Sequence, residues 1–294
     1  MPSQIPTLRR YDELNGKTFL IGVGANKCAT SWIFTYFTSL PEVAVSPLKE
    51  MRFFNAKVRG PLSEDPDLFA LKRLAYNFRQ EGDVLENLQK GASFQASVDR
   101  VKMIYDEGAY LDHFTRLSSV ETKTLSDITP AYSAIGREGF EYIKAYFATQ
   151  DVRLKLFFIM RDPVDRLWSH LRYRDRHDAE LDVRHTWPER LDDPEMMAFC
   201  DYRNTVNALE AVFPSEDLLF LFYEDLFSES SLKRLCAFAG AGYQPPATDR
   251  PVNETPLKVD LPGDAREVLR QRLEPQYAFC RKRFGDGVPE AWLT

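Results

Sequence analysis

At 294 residues, 44% of them hydrophobic and 28% charged, the chain has an ordinary globular balance and enough length for a large buried core. Its 38 Lys and Arg against 44 Asp and Glu give a net charge of -6, which argues against a general nucleic-acid binder but not against a local cation cluster that grips a small polyanion. No run approaches the roughly 20 apolar residues that would cross a bilayer. Residues 1–17 hold no apolar signal core. Cys28, Cys200, Cys236 and Cys280 form neither close pairs nor a metal-ligand spacing, so buried or half-buried free thiols and a cytoplasmic location are expected.

Residues 18–23 (TFLIGV) are a short apolar run closed by Gly24, the pattern of a buried strand. Ile33, Tyr36, Phe37 and Leu40 then fall on one face of a helix that Pro41 stops. An extended piece is expected over 43–47, polar helix broken near Gly82 over 64–90, a strand over 122–128 and a helix over 136–147. Residues 154–160 (LKLFFIM) are the clearest buried strand. Asp162 and Pro163 suit the cap and first position of the helix after it, whose inner stripe is Val164, Leu167, Trp168 and Leu171. A strand over 218–222, a helix over 232–239 and a terminal helix over 265–284, interrupted or kinked near Pro275, follow. Strands alternating with helices, with no Gly/Ser- or Pro-rich linker between them, predict an α/β fold. A central, mainly parallel sheet flanked by helices is expected, in one domain over residues 1–294.

Two strand-to-helix corners carry the chemistry. At the first, residues 22–31 (GVGANKCATS) offer unpaired backbone N–H groups, a helix dipole, the mobile charge of Lys27 and the hydroxyls of Thr30 and Ser31 to an anion. The Gly-Lys-Ser/Thr triplet of nucleoside triphosphatases is absent. Taken alone, the loop is also compatible with a polar turn in which Ser31 caps a helix. At the second corner, Arg161 stands before a helix start and Ser169 lies eight residues on, away from the centre of the apolar stripe. The planar fork of an Arg suits phosphate, and both side chains could reach one phosphate group.

The order Lys27-Cys28-Ala29-Thr30-Ser31 resembles the 5'-phosphosulfate loop of sulfotransferases that use 3'-phosphoadenosine-5'-phosphosulfate (PAPS). Ala29 stands where the family usually has Gly, the residue favoured where backbone takes a positive φ or closely approaches a ligand. Arg161 with Ser169 resembles the family's 3'-phosphate segment. Residues 47–54 (PLKEMRFF), 127–132 (DITPAY) and 222–226 (FYEDL) resemble three more landmarks, found in heparan-type and related bacterial members.

The resemblance covers residues 20–240 and implies the P-loop-NTPase-like sulfotransferase fold. It implies PAPS as sulfuryl donor, adenosine 3',5'-bisphosphate as product, and no metal. Lys27 would meet charge on the leaving phosphate, residues 27–31 would bind the 5'-phosphate, Arg161 and Ser169 the 3'-phosphate, and Glu50 would be the catalytic base. Phe53, Tyr132 and Tyr173 are expected to bind the acceptor. Insertions around 55–120 and 175–200, with Tyr76, Phe78, Phe94, Tyr105, Arg174 and Trp187, are expected to shape its cleft. His170 and His177 are runner-up bases, although a lone His on a charged helix is more often solvated. The acceptor is expected to present a hydroxyl, or an amine, on a carbohydrate, glycolipid or small metabolite. Its identity and the oligomeric state stay open. The alternatives are a kinase that uses ATP and a non-catalytic nucleotide-binding protein.

Overall fold

The computed structural model describes residues 7–58, 60, 64–177, 182–247, 260–261, 263 and 265–293, except for the side chains of residues 176, 177 and 184. Five strands, β1 (Thr18–Gly24), β2 (Val43–Val45), β3 (Thr124–Ile128), β4 (Arg153–Met160) and β5 (Leu218–Phe222), form one sheet in the order β2-β3-β1-β4-β5. Every pairing is parallel. β1 lies at the centre and is buried along its whole length, as a strand covered on both faces must be. A side chain at Gly22 would meet the Phe157 ring at 2.5 Å, so glycine lets β1 and β4 lie close.

The helices are α1 (Thr30–Thr38), α2 (Phe53–Lys57), α3 (Pro66–Phe78), α4 (Val84–Lys90), α5 (Ala92–Lys102), α6 (Ala109–Leu117), α7 (Gly136–Phe147), α8 (Pro163–His177), α9 (Val183–Thr186), α10 (Pro194–Ala198), α11 (Tyr202–Val212), α12 (Glu229–Ala239) and α13 (Ala265–Phe284). Local chemistry sets several starts. Asp65 accepts from the N–H groups of Asp67 and Leu68, Asp83 from that of Glu86, and Ser228 from that of Ser231. The last of these begins α12 three residues before its apolar pattern does. α13 runs through Pro275 as one helix, where an interruption or kink was expected. The stretches 92–117 and 202–212 fold as three helices that apolar spacing had not singled out.

Most of the buried apolar side chains form one continuous cluster that reaches from Tyr11 to Trp292. Burying each Leu, Phe or Ile there contributes about 1.5–3 kcal/mol. All five strands point the same way, so their carboxyl ends share one edge. The chain order reverses between β1 and β4, since β1 connects outward to β2 while β3 connects across to β4. Open α/β sheets bind ligands in the crevice that such a reversal leaves.

Candidate active site

Each of the five landmark segments begins at a strand's carboxyl end or directly after it, which brings segments far apart in sequence onto one edge. β1 and β4 are hydrogen-bonded neighbours, so the loops after them lie side by side. Nη1 of Arg161 reaches the Lys27 carbonyl at 3.4 Å. The guanidinium also lies 4.5 Å from the centre of the Tyr223 ring, at the end of β5.

The second corner is braced from three sides. Asp162 accepts from the N–H of Asp165 at 3.0 Å, as a helix cap should. The Asp162 N–H donates to Glu224 at 2.9 Å, which ties the corner to the FYEDL segment. Tyr277 of α13 donates to Asp162 at 2.7 Å. Ser169 lies in the second turn of α8 and is buried, as are Val164, Leu167, Trp168 and Leu171.

The first corner takes the backbone shape that glycine would favour. Lys27 has φ 67° and Ala29 φ 58°, both left-handed. Ala29 therefore holds a conformation that glycine favours, with a methyl group attached, at a cost of about 1–2 kcal/mol. Left-handed residues in such turns aim successive N–H groups into a concavity suited to anions, here at the amino end of α1. The Cys28 thiol is fully buried, and burial pushes it up to about 12. Thr30 is buried, whereas Ser31 accepts a 2.9 Å hydrogen bond from Nζ of Lys49.

Lys27 sits 4.4 Å from the centre of the Tyr173 ring, so the structure sets Tyr173 against this lysine. Burial first, then the nearby cations Lys49, Arg161 and Arg172, push its ammonium down to about 8. Cations held this close in a partly dry site favour an anion among them.

Glu50 follows β2. Its burial alone would raise the carboxyl, but Lys49, Arg52 and Arg73 outweigh that and hold it below the ordinary value. Lys49 contacts Glu50 at 3.1 Å and Arg52 lies 3.7 Å from its other oxygen. Lys49 thus bridges Ser31 of one corner and Glu50 of the opposite wall, a link that the KE pair in the sequence signals only as a possible ion pair. Glu50 and Arg52 also have left-handed backbone, φ 63° and 55°. Strained loops of this kind persist where surrounding contacts over-determine them.

Those contacts come from α5 and α6. Arg100 donates to the Glu50 carbonyl at 3.1 Å. His113 joins Asp99, 2.8 Å from Nδ1, to Ser46, 3.0 Å from Nε2. The Ser46 hydroxyl in turn accepts from the Leu48 N–H at 3.1 Å. The Asp99-His113-Ser46 line is buried at its Ser and His, so it fastens the loop and offers no nucleophile to solvent.

Several expected acceptor residues sit elsewhere. Phe53 is buried and stacks on Tyr110 with ring centres 4.6 Å apart. Tyr132 is fully buried, and its hydroxyl, with that of Tyr110, donates to Asp127 at 2.9 Å. Both belong to the core and not to an acceptor surface. Phe94 is buried against Phe78, beside an open groove of about 520 Å³ that shares no residue with the Lys27–Glu50 site. Tyr76 and Tyr105 are exposed and Trp187 is buried. His170 is not a solvated helix residue: burial and the cations Arg166, Lys27 and Arg174 lower it well below the ordinary histidine value. The His177 side chain lies outside the described residues. Arg166, which no pattern had singled out, is completely buried beneath this site with Nη2 on the Cys200 sulfur at 2.6 Å.

Among the described residues no three His, Cys, Asp or Glu group as metal ligands, and all four cysteines are free and buried. No helix among them is long and apolar enough to cross a membrane.

The fold is that of known sulfotransferases. The crystal structure of a sulfotransferase from Alicyclobacillus acidocaldarius aligns over 95% of this chain and 99% of its own, with a TM-score of 0.58 and 22% identity. The sulfotransferase domain of the Synechococcus PCC 7002 olefin synthase aligns over 91% of this chain and 97% of its own, with a TM-score of 0.43 and 18% identity. No curated protein matches the sequence. The profile of the family described as "Sulfotransferase domain" matches residues 69–258, well over half of the chain. The chain therefore belongs to the sulfotransferase family, and it is an enzyme that transfers sulfuryl groups.

Proposed function

We propose that the donor is PAPS, gripped at both ends by the two corners, and that Glu50 takes the acceptor's proton. The observation that carries this reading is the 3.4 Å contact between Arg161 and the Lys27 carbonyl, which sets two phosphate-binding loops within reach of one nucleotide. Lys49, Arg161 and Arg172 all act to lower the Lys27 ammonium, so negative charge placed among them is favoured, and a bisphosphorylated adenosine would supply it.

In this reading Lys27, Thr30, Ser31 and the backbone of residues 27–31, Cys28 and Ala29 included, hold the 5'-phosphosulfate. Arg161 and Ser169 hold the 3'-phosphate. The acceptor oxygen or nitrogen bonds to sulfur while the bridging sulfur–oxygen bond breaks, and adenosine 3',5'-bisphosphate leaves. Lys27 meets the negative charge that builds on the leaving phosphate. Glu50 is ionised and free to accept the proton. The cations that keep it charged also weaken it as a base, so the proton passes as the acceptor atom loses basicity on bonding to sulfur. No step needs a metal.

Residues 1–294 act as one unit in this reading, in the cytoplasm, in keeping with four free thiols. The acceptor presents a hydroxyl or amine on a carbohydrate, glycolipid or small metabolite. Calorimetric titration with adenosine 3',5'-bisphosphate and with 5'-AMP tests the donor assignment. The wild type should prefer the bisphosphate by about 10–100-fold, the size of a charge-assisted contact to one phosphate, and Arg161→Ala should abolish the preference. Equal affinity of the wild type for both nucleotides would overturn it.

A further inference from the structure

The wall opposite the donor corners is far more basic than a chain of net charge -6 leads one to expect. Arg52 and Arg100 lie over the same Phe69 ring, their guanidinium carbons 3.9 and 4.8 Å from its centre. Phe69 belongs to α3, and Arg73 stands one turn further along the same face. Arg73 is near enough to act on both the Glu50 carboxyl and the Arg100 guanidinium.

Among the described residues, the anions near this group are fewer than its cations. Glu50 is shared by Lys49 and Arg52, while Glu64 is shared by Arg52 and Lys72. Arg100 is only 3% exposed, and its Nε and Nη2 have no hydrogen-bond partner among the described residues. Its single described bond goes to the Glu50 carbonyl. Burial and the neighbouring Arg73 and Arg52 press it down to about 10, the behaviour of a cation among cations. A buried charge with one neutral partner projects its field outward, here towards Glu50, whose carbonyl it holds. Arg73 is exposed, with its guanidinium 5.8 Å from the centre of the Tyr76 ring, and can touch a ligand directly, whereas Arg100 acts through its field.

Resting on the assignment of Glu50 to the acceptor side, we propose that the acceptor carries an anionic group, a carboxylate, phosphate or existing sulfate. Arg73 and Arg52 would bind that group and Arg100 would support it from beneath. The group places the acceptor's hydroxyl or amine at Glu50, and neutral molecules of similar shape are refused because they leave the arginines uncompensated.

The test divides an extract of the organism that encodes the chain. Anion exchange at neutral pH gives an unretained pool and a salt-eluted anionic pool. Each is desalted and incubated with the full-length enzyme and PAPS carrying radioactive sulfur. Label should enter the anionic pool, and Arg73→Met should cut that labelling about tenfold, the size of one charge-assisted contact, with the half-saturating PAPS concentration unchanged. Arg73→Lys should restore much of it. Predominant labelling of the unretained pool, or full labelling by Arg73→Met, would overturn the proposal. So would absence of label in both pools from an enzyme that binds adenosine 3',5'-bisphosphate, and in that case the donor assignment would survive. An enzyme that does not bind the nucleotide would sink both.

Discussion

The two sides of the site are built by different means. On the side assigned to the donor, the loops after β1 and β4 inherit their positions from two hydrogen-bonded strands, and the segment after β5 fastens the second loop through Glu224. On the side assigned to the acceptor, the loop after β2, an edge strand of three residues, is set by side chains of α3, α5 and α6. The sheet fixes the first arrangement, and most of it would survive loss of any one side chain. The second hangs on a few contacts between residues far apart in the chain, such as His113 and Ser46. A family can therefore keep its donor site while the opposite wall is rebuilt.

Substitutions on the two sides should separate accordingly. The largest effect is expected at Glu50. Glu50→Gln should lower kcat by about 10²–10⁴-fold while calorimetry shows an unchanged affinity for adenosine 3',5'-bisphosphate. An equal loss of both would make Glu50 a structural residue.

Lys27→Ala should lower turnover by about 10²–10³-fold and weaken nucleotide binding as well, because this residue belongs to the donor side. Lys27 also gives a pH signature. Its ammonium is depressed to about 8 in the free enzyme, so the charged form is lost as pH rises through that value. The rate at limiting PAPS should therefore fall above pH about 8. Lys27→Arg should carry that limb to higher pH, since Arg keeps its proton to pH about 12 or beyond. An alkaline limb that does not move in Lys27→Arg would assign it to another group.

Asp99→Asn loosens the tie through His113 to Ser46. We expect about 1–2 kcal/mol of lost stability in urea unfolding and a lower kcat, again with unchanged nucleotide affinity. A change in nucleotide affinity would mean that the two sides are not independent. The smallest effect is expected at Ala29. Ala29→Gly removes about 1–2 kcal/mol of left-handed strain and adds about 0.5–1 kcal/mol of chain entropy cost. The net gain of up to about 1.5 kcal/mol should raise Tm by at most about 4 °C.

The same contrast explains what the sequence made legible. A buried strand followed by a turn and a capped helix is a local pattern, so Lys27, Thr30, Ser31, Arg161 and Ser169 could be placed at corners by spacing alone. The convergence of those corners follows from strand order, which no local pattern encodes. The resemblance to a known family supplied it, and the pairing of β1 with β4 gives its physical reason.

The acceptor wall was hidden because its parts are set by packing. Nothing near Arg100 in the sequence distinguishes it from an ordinary helix-surface arginine, yet it is buried under Glu50. Phe53 and Tyr132 stand in landmark segments on the right edge of the sheet, but both turn inward. An aromatic ring gains more from the core, and Asp127 supplies the partner that the buried Tyr132 hydroxyl requires. His170 misled in the opposite sense: it shares α8 with many charged residues yet is half-buried, with its histidine value lowered by burial and by nearby cations.

The most direct test of the central claim is a crystal structure with adenosine 3',5'-bisphosphate bound. The 5'-phosphate should rest on residues 27–31 and the 3'-phosphate between Arg161 and Ser169, with one molecule spanning both loops. A nucleotide that engages only one loop, or that lies away from the edge between β1 and β4, would contradict it.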